Sequence, residues 1–274
     1  MTTSNNSSDN DLDSNISEPQ IKQLPASTGL KWVAQSFSLL SKSPSTWLIM
    51  WIIAFLFNVA FVMSSYLILL PALLSATFTA GFIYGAKVVD SGFKLKLEHL
   101  FIGFKVQLRN LFRLGLLYLM FSFLLGMLFS LILSNSIDEA QVIAMSELSH
   151  QELQLLLAES PEQLAFIVKA LLMTLVLSTP LFMASWFAPT LVFFHKTPPL
   201  RAMLLSFKAC NTNLLPFLLY GLVIMPMILI AIFSVIGLPL ILVIINISQY
   251  CSYKSVFNVE PGNKPSEQEG TFIV

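Results

Sequence analysis

The chain has 274 residues, of which 55% are hydrophobic and 11% are charged. Soluble domains carry roughly 25% charged residues, so this composition excludes an ordinary water-soluble fold and favours a membrane protein. Fifteen bases balance fifteen acids, so the net charge indicates no charged partner, and the positions of the charges carry the information instead.

Polar tails are predicted at both ends of the chain. Residues 1–28 are rich in Ser, Asn, Asp and Thr and lack the apolar run of a signal peptide. Such a segment cannot bury enough apolar surface to offset the entropy lost on ordering. We therefore predict a disordered cytoplasmic tail here and a second one over residues 258–274, with a single membrane domain at residues 29–257.

Six stretches are long and apolar enough to cross a membrane, which takes about 20 mainly apolar residues. Helix-start signals precede two of them, at Ser43 followed by Pro44 and at Ser160 followed by Pro161. The fold class is therefore an all-α, polytopic membrane bundle. The predicted spans cover residues 44–63, 66–89, 111–133, 160–194, 214–233 and 235–253.

The distribution of Lys and Arg predicts the orientation of these spans. Fourteen of the fifteen bases lie on one side of the six-span topology, and Lys169 is the exception. The long loop on the other side, residues 134–160, holds acids and no base. Because basic loops stay in the cytoplasm, both termini are predicted to be cytoplasmic. Ser136 with Glu139, and Ser149 with Glu152, form capping boxes that predict two short amphipathic helices in the outer loop.

Three polar side chains inside the predicted spans are candidate intramembrane contacts. Lys169 lies about two turns into the fourth span, where its side chain either reaches the interface or contacts an ion or substrate. Asn58 and Asn246 are single amides in the first and sixth spans. Hydrogen bonding between helices is the usual role of such amides, and a transport site is the alternative.

A short pattern recurs before the odd-numbered spans. The segments SFSLLSKSPSTW (36–47), GFKVQLRNLFRL (103–114) and SFKACNTNLLPF (206–217), named the collar segments here, each begin with a small residue and Phe. Each is followed by two spans, so successive units keep the same orientation. The sequence thus predicts three parallel repeats, each an interfacial helix plus two spans, around a pseudo-threefold axis. Prolines occur in the second span of each unit, at Pro71, Pro180, Pro189 and Pro239.

The collar segments are candidate lipid contacts. Around the first, Leu30, Val33, Phe37 and Leu40 share a helical face that can lie in the headgroup plane. Cations around the three segments either anchor the orientation or bind anionic headgroups. The predicted anionic-lipid contacts are Lys31, Lys42, Lys105, Arg109, Arg113 and Lys208.

Motifs of enzymes are missing from the sequence. It has no HExxH, GxSxG, Walker or dinucleotide-binding pattern, and no carboxylate pair inside a span. We therefore predict no catalytic residue, cofactor or metal site. Gly81 and Gly85 have a spacing typical of close helix packing. Cys210 and Cys251 lack CxxC spacing and are predicted to pack as small apolar residues.

The stretches LKWVAQSFSLLSKSPSTW, GFIYGAKVVDSGFKLKLEHLFIGFK, SWFAPTLVFFHKTPPLRAMLLSFKACNTNLLPFLLYGL and SQYCSYKSVF resemble a family of uncharacterised six-helix inner-membrane proteins of proteobacteria. The chain is also distantly similar to YciC-type proteins and to the membrane domain of some glycerophosphodiester phosphodiesterases. The resemblance covers residues 30–257 and implies a bacterial inner-membrane helical bundle, without an activity, a ligand or site residues.

Two functions fit these observations. The leading hypothesis is a non-enzymatic inner-membrane protein that organises lipids, by anionic headgroups on the cytoplasmic leaflet, or partner proteins; no nucleic-acid partner is expected. The alternative is a small-solute or lipid transporter with a cavity on the pseudo-threefold axis, because prolines in the second spans resemble those of broken transporter helices.

Overall fold

The structure, a computed structural model, describes residues 19–63, 66–134, 149, 161–234 and 236–259. Regular structure in these residues is entirely helical. The long helices are α2 (Pro44–Val62), α3 (Leu70–Asp90), α5 (Leu108–Ser134), α6 (Pro161–Trp186), α9 (Leu214–Ala231) and α10 (Gly237–Val256). The short ones are α1 (Thr28–Ser41), a 3-10 helix (Leu97–Phe101), α4 (Ile102–Val106), α7 (Ala188–His195) and α8 (Pro199–Thr212).

Five helical stretches are long and apolar enough to cross a membrane: Pro44–Val62, Leu70–Asp90, Leu108–Ile132, Val168–His195 and Leu214–Ala231. The chain therefore has the architecture of a multi-pass helical membrane protein. The sixth predicted span corresponds to α10, which has 20 residues. It is less apolar than the five because it carries Asn246, Ser248, Gln249 and Ser252 from its midpoint onward.

The short helices gather at one end of the bundle, named here the basic end and marked by Lys42, Asp90 and Lys254. There α1 packs against α10, the 3-10 helix and α4 pack against α3, and α8 packs against α6. In terms of the three predicted repeats, each of these short helices contacts the second long helix of a different repeat. In the centre, α3 contacts both α7 and α10.

The fourth predicted span, residues 160–194, is not one helix. It is interrupted at Phe187, and α7 begins with Pro189 in its first turn. Proline lacks the N–H that would bond to the carbonyl of Ser185, and the Tyr118 hydroxyl donates to that carbonyl instead (3.3 Å). The break is further stabilised by Ser206, whose hydroxyl accepts the N–H of Phe187 (2.8 Å) and donates to the carbonyl of Met183 (2.7 Å).

Pro71 and Pro239 do not interrupt the helices that contain them, although both were predicted to lie within a span. Helix α3 begins at Leu70 and α10 begins at Gly237, so each proline lies in the first turn of its helix. Proline is tolerated there because the N–H it lacks would have no partner inside the helix. Pro180 lies inside α6 and Pro226 inside α9.

The predicted N-terminal tail ends earlier than residue 28. The N–H of Lys22 donates to the carbonyl of Val256 (2.8 Å), and the N–H of Leu24 donates to Asn213 Oδ1 (2.9 Å). The Asn213 amide donates back to the carbonyl of Lys22 (3.0 Å). Residues 22–24 are thus hydrogen-bonded between α9 and α10. The predicted outer-loop helices, and residues 1–18 and 260–274 of the predicted tails, lie outside the described residues.

Candidate functional site

Helices α1 and α8, which lead into the first and third collar segments, have nearly the same burial pattern. Residues 30–43 align with residues 200–213 without a gap. Each stretch begins with Leu and a base, continues with two buried residues, and has Ser and Phe at its seventh and eighth positions. The pairs buried in both helices are Trp32 and Ala202, Val33 and Met203, Ser36 and Ser206, Leu39 and Ala209, and Leu40 and Cys210.

Each of these helices has three faces, which follow one another in the same order around the axis. The first face is buried. The second is apolar and exposed, with Leu30 and Phe37 on α1 and Leu200 and Phe207 on α8. The third is polar and exposed, with Lys31 on α1 and the equivalent Arg201 on α8. A helix of this kind contacts protein, lipid and headgroups along separate faces.

These faces correct the sequence interpretation of α1. Leu30, Val33, Phe37 and Leu40 were expected to share one membrane-facing side. Instead, Val33 and Leu40 are buried against the protein, whereas Leu30 is 46% exposed and Phe37 is 41% exposed. The buried face is centred on Trp32 and Ser36. The indole N–H of Trp32 donates to Ser255 Oγ on α10 (2.7 Å), which holds this face against α10.

Residues 97–105, which lead into the second collar segment, match residues 30–38 and 200–208. His99, Leu100 and Gly103 are buried at the positions of Trp32, Val33 and Ser36. Leu97, at the position of Leu30, is 40% exposed. The pattern then diverges, because a 3-10 helix and the short α4 replace a single α-helix.

The small residue that begins each collar segment lies against a neighbouring long helix. The Ser36 hydroxyl lies 2.9 Å from that of Ser248 on α10, and Ser206 bonds to α6 at Met183. A side chain on Gly103 would collide with the carbonyl of Thr77 on α3. A larger residue at any of the three positions would separate the short helix from its neighbour.

All six predicted anionic-lipid contacts are exposed. Lys31 lies on α1, Lys42 caps its C-terminus, Lys105 lies on α4, Arg109 and Arg113 lie in the first two turns of α5, and Lys208 lies on α8. Sequence reasoning missed Arg201. Its alignment with Lys31 is the signal that could have found it.

Sequence reasoning also missed a charged cluster at the basic end. The Lys254 ammonium lies 2.6 Å from Asp90 Oδ2, and the Tyr250 hydroxyl donates to the same oxygen (2.8 Å). The Lys42 ammonium lies 3.5 Å from the carbonyl of Val89. Together with Gln35, Ser38, Leu39 and Cys251, these side chains line a pocket of about 130 Å³ where α1, α3 and α10 meet.

The two predicted intramembrane amides come together in one cavity. Asn58 on α2 and Asn246 on α10 both line a lateral opening of about 590 Å³ between α2, α3 and α10. Its remaining walls are mainly apolar, with Phe78 and Phe82 from α3. Lys169 is exposed on α6 and lines none of the cavities found in the described part of the chain.

A second lateral cavity of about 590 Å³ lies between α5, α6 and α8. Its walls are almost purely apolar, with Phe121 from α5, Leu177 from α6, and Leu200, Leu204 and Phe207 from the exposed apolar face of α8. That face of α8 therefore adjoins a groove that an acyl chain can fill.

Side chains fill the region where α3, α7 and α10 meet. The ring of Tyr84 contacts that of Phe193 (5.9 Å between centroids), and Phe194 stacks on Tyr253 (5.8 Å). His195 Nε2 lies 2.7 Å from the Tyr253 hydroxyl. At this end of the described bundle, the centre is thus packed with aromatic rings, and both 590 Å³ cavities are lateral.

The Cys210 thiol on α8 is buried and held in its neutral form. Burial raises the pKa of the Cys210 thiol to about 12, despite a hydrogen bond with Ser206 that lowers it, so the thiol stays protonated. Cys210 and Cys251 are both free and buried. Among the described residues, no three His, Cys, Asp or Glu side chains converge on a metal site.

Comparison of the chain with models of protein families, with curated proteins and with solved structures finds no match.

Proposed function

We propose that the protein is a non-enzymatic inner-membrane protein whose basic end faces the cytoplasm and holds anionic phospholipid headgroups. The observation that carries this proposal is the common design of α1 and α8, in which an exposed Leu and Phe face adjoins a face with a base. Such a helix lies in the interfacial plane, and each Lys or Arg near an anionic leaflet contributes about 1 kcal/mol.

The proposal includes six spans in three parallel repeats. Two observations support it: the matched burial of the collar segments, and the packing of each on the second long helix of another unit. The positions of fourteen of the fifteen bases support the cytoplasmic orientation. We propose the inner-membrane location and the kinship with the six-helix proteobacterial family on the resemblance of the quoted stretches.

Native mass spectrometry of retained lipids tests this function. The protein would be solubilised from vesicles of phosphatidylglycerol and phosphatidylcholine, and the retained copies of each lipid counted. Replacing Lys105, Arg109 and Arg113 by Gln, or Lys31, Arg201 and Lys208 by Gln, should reduce the phosphatidylglycerol count while leaving phosphatidylcholine unchanged.

The matched control removes three exposed cations outside the collar segments and their helices. Replacing Lys22, Lys94 and Lys196 by Gln removes the same charge, and we expect it to leave retention near the wild-type value. Equal losses in the control and in both collar variants, or no loss in any, would contradict headgroup binding by the collar.

Lipid transport is a second proposal, supported by the cavity that Asn58 and Asn246 share. Polar groups beside a lateral opening can guide a headgroup across the hydrocarbon region. A scrambling assay with fluorescent phospholipids in proteoliposomes tests it. Transport predicts scrambling faster than in protein-free vesicles and slowed by Asn58→Leu; a rate equal to that of protein-free vesicles would rule it out.

A further inference from the structure

Two cavities of opposite character lie along one seam of the bundle. The pocket of about 130 Å³ is lined by Lys42, Asp90 and Lys254 at the basic end. The mainly apolar cavity of about 590 Å³ is lined by α2, α3 and α10 farther along the same helices. Both are bounded by α3 and α10, so a charged and an apolar compartment lie along the seam between these two helices.

One face of α10 lines both cavities. Leu242, Asn246, Tyr250 and Lys254 are spaced by four residues and so share one face of the helix. The first two line the apolar cavity, and the last two line the charged pocket. The lining changes from apolar to charged between Asn246 and Tyr250, which are four residues and about 6 Å apart along the helix axis.

An aromatic pair lies at the level where the lining changes. Trp47 stacks on Phe82, with 6.3 Å between ring centroids, and Phe82 lines the apolar cavity. The indole N–H of Trp47 donates to the carbonyl of Leu39 (3.3 Å), and Leu39 lines the charged pocket. Trp47 is fully buried, so it supports the walls of both cavities from inside the protein.

The charges of the pocket match one phosphodiester. Lys42 and Lys254 contribute two positive charges and Asp90 one negative charge, which leaves a single net positive charge. The Asp90 carboxylate accepts hydrogen bonds from the Lys254 ammonium and the Tyr250 hydroxyl. It therefore holds Lys254 on the pocket wall, where the other N–H groups of the ammonium can bond to an anion. Lys42 makes only a 3.5 Å contact with a carbonyl, and its ammonium can turn toward an anion.

We propose that this seam binds one phospholipid, with its phosphodiester between Lys42 and Lys254 and an acyl chain in the cavity that Asn58 and Asn246 line. The proposal rests on the proposed function and gives it a defined site. A lipid fits better than a water-soluble phosphate because the adjoining cavity opens laterally among membrane-spanning helices, where hydrocarbon chains are the available occupants.

Site-resolved photocrosslinking tests the proposal. The full-length protein in phosphatidylcholine nanodiscs would receive a subsaturating amount of phosphatidylglycerol with a photoreactive acyl chain, and crosslinked peptides would be mapped by mass spectrometry. We expect crosslinks on the α2 and α10 residues that line the cavity. Lys42→Gln should lower their yield about fivefold, as the loss of one cation–phosphate contact implies, and Lys42→Arg should restore it.

Lys94→Gln is the matched control, because it removes the same charge from an exposed position outside the pocket and outside the collar segments. It should change the yield by less than about twofold. An independent variant, Ala54→Trp, fills the apolar cavity and should displace the crosslinks, whereas Ala60→Trp, on an exposed position of α2 outside the cavity, should not.

The outcomes separate this site from the wider function. Cavity crosslinks that are insensitive to both Lys42→Gln and Ala54→Trp, or competition by excess glycerol phosphate as strong as by unlabelled lipid, would overturn the site. If phosphatidylglycerol retention still depends on the other collar cations, headgroup binding stands without it. Loss of that dependence as well would overturn the proposed function itself.

Discussion

Helices α3 and α5 pack against each other, yet their surroundings differ sharply. The most apolar stretch of α3 is 72% buried inside the protein, against 6% for that of α5. Their mean hydropathies run in the opposite direction, at 1.4 for α3 and 2.2 for α5. In a membrane the less apolar helix is the inner one, because its small residues allow close helix packing. Large apolar side chains can remain exposed to lipid, which is as apolar as they are.

The largest effect that tests this comparison is expected at Gly81 on α3. A methyl group there would collide with the backbone of Leu100, which cannot move as a flexible side chain can. Gly81→Ala should therefore lower the free energy of unfolding by about 3 kcal/mol or more. Most of the variant should be unfolded or aggregated in a thermal-unfolding or size-exclusion assay.

Gly126→Ala on α5 is the control, because a methyl group there meets no atom within 4 Å. Alanine is the better helix former, so this change should be neutral or stabilising by less than about 1 kcal/mol. Similar losses at the two glycines would contradict the assignment of α3 as the inner helix.

A second large effect is expected at Ser206. Ser206→Ala removes the hydroxyl that bonds both Phe187 and Met183 at the break between α6 and α7. The buried N–H of Phe187 then loses its partner, and the Met183 carbonyl keeps only the weak contact with the Cys210 thiol (3.5 Å). This loss should cost about 2 kcal/mol in unfolding experiments. Ser178→Ala on the exposed part of α6 removes only a bond to its own helix and should cost less than about 0.5 kcal/mol. Equal costs would show that the hydroxyl does not support the break.

A smaller effect is expected at Tyr118, the residue of α5 that bonds the carbonyl freed by Pro189. Tyr118→Phe should cost about 1 kcal/mol. In a Pro189→Ala background the cost should fall, because the alanine N–H can bond to Ser185. A double-mutant cycle measures this coupling, and strictly additive effects would contradict the explanation.

The smallest effect concerns acid stability at His99. Burial lowers the pKa of this imidazole below 6.5, with Lys96 adding to the shift and Glu98 opposing it. The unfolded chain thus binds a proton more readily, so stability is lost as the pH falls below about 6.5. Unfolding temperatures from pH 7.5 to 5 should fall more steeply for the wild type than for His99→Asn. Parallel curves would exclude His99 as the cause.

Much of the helical framework could be predicted from local sequence. Ser43 with Pro44 gave the start of α2, and an unbroken apolar run gave α9 from Leu214. The break at Phe187 could not be predicted, because it depends on Ser206, a residue in a different helix. The faces of α1 were misassigned because periodicity alone cannot separate lipid contact from burial in the protein. It therefore placed the buried Val33 and Leu40 on the membrane-facing side.

The candidate sites divide in the same way. Exposed cations such as Lys31 and Lys208 could be found from charge distribution alone. Asp90 and Lys254 are separated by 164 positions, and only the packing of α3 against α10 brings them together. The shared cavity of Asn58 and Asn246 likewise required the packing, since each amide alone indicates no more than a helix contact.

Lipid-dependent stability tests the central claim, headgroup binding at the basic end, most directly. Thermal unfolding would be measured in nanodiscs of phosphatidylglycerol and of phosphatidylcholine, for the wild type and for the variant with Lys31, Arg201 and Lys208 replaced by Gln. A lipid that binds the folded state raises the unfolding temperature. We predict that phosphatidylglycerol stabilises the wild type and that the variant loses most of this gain. Equal unfolding temperatures of the wild type in the two lipids would contradict the claim.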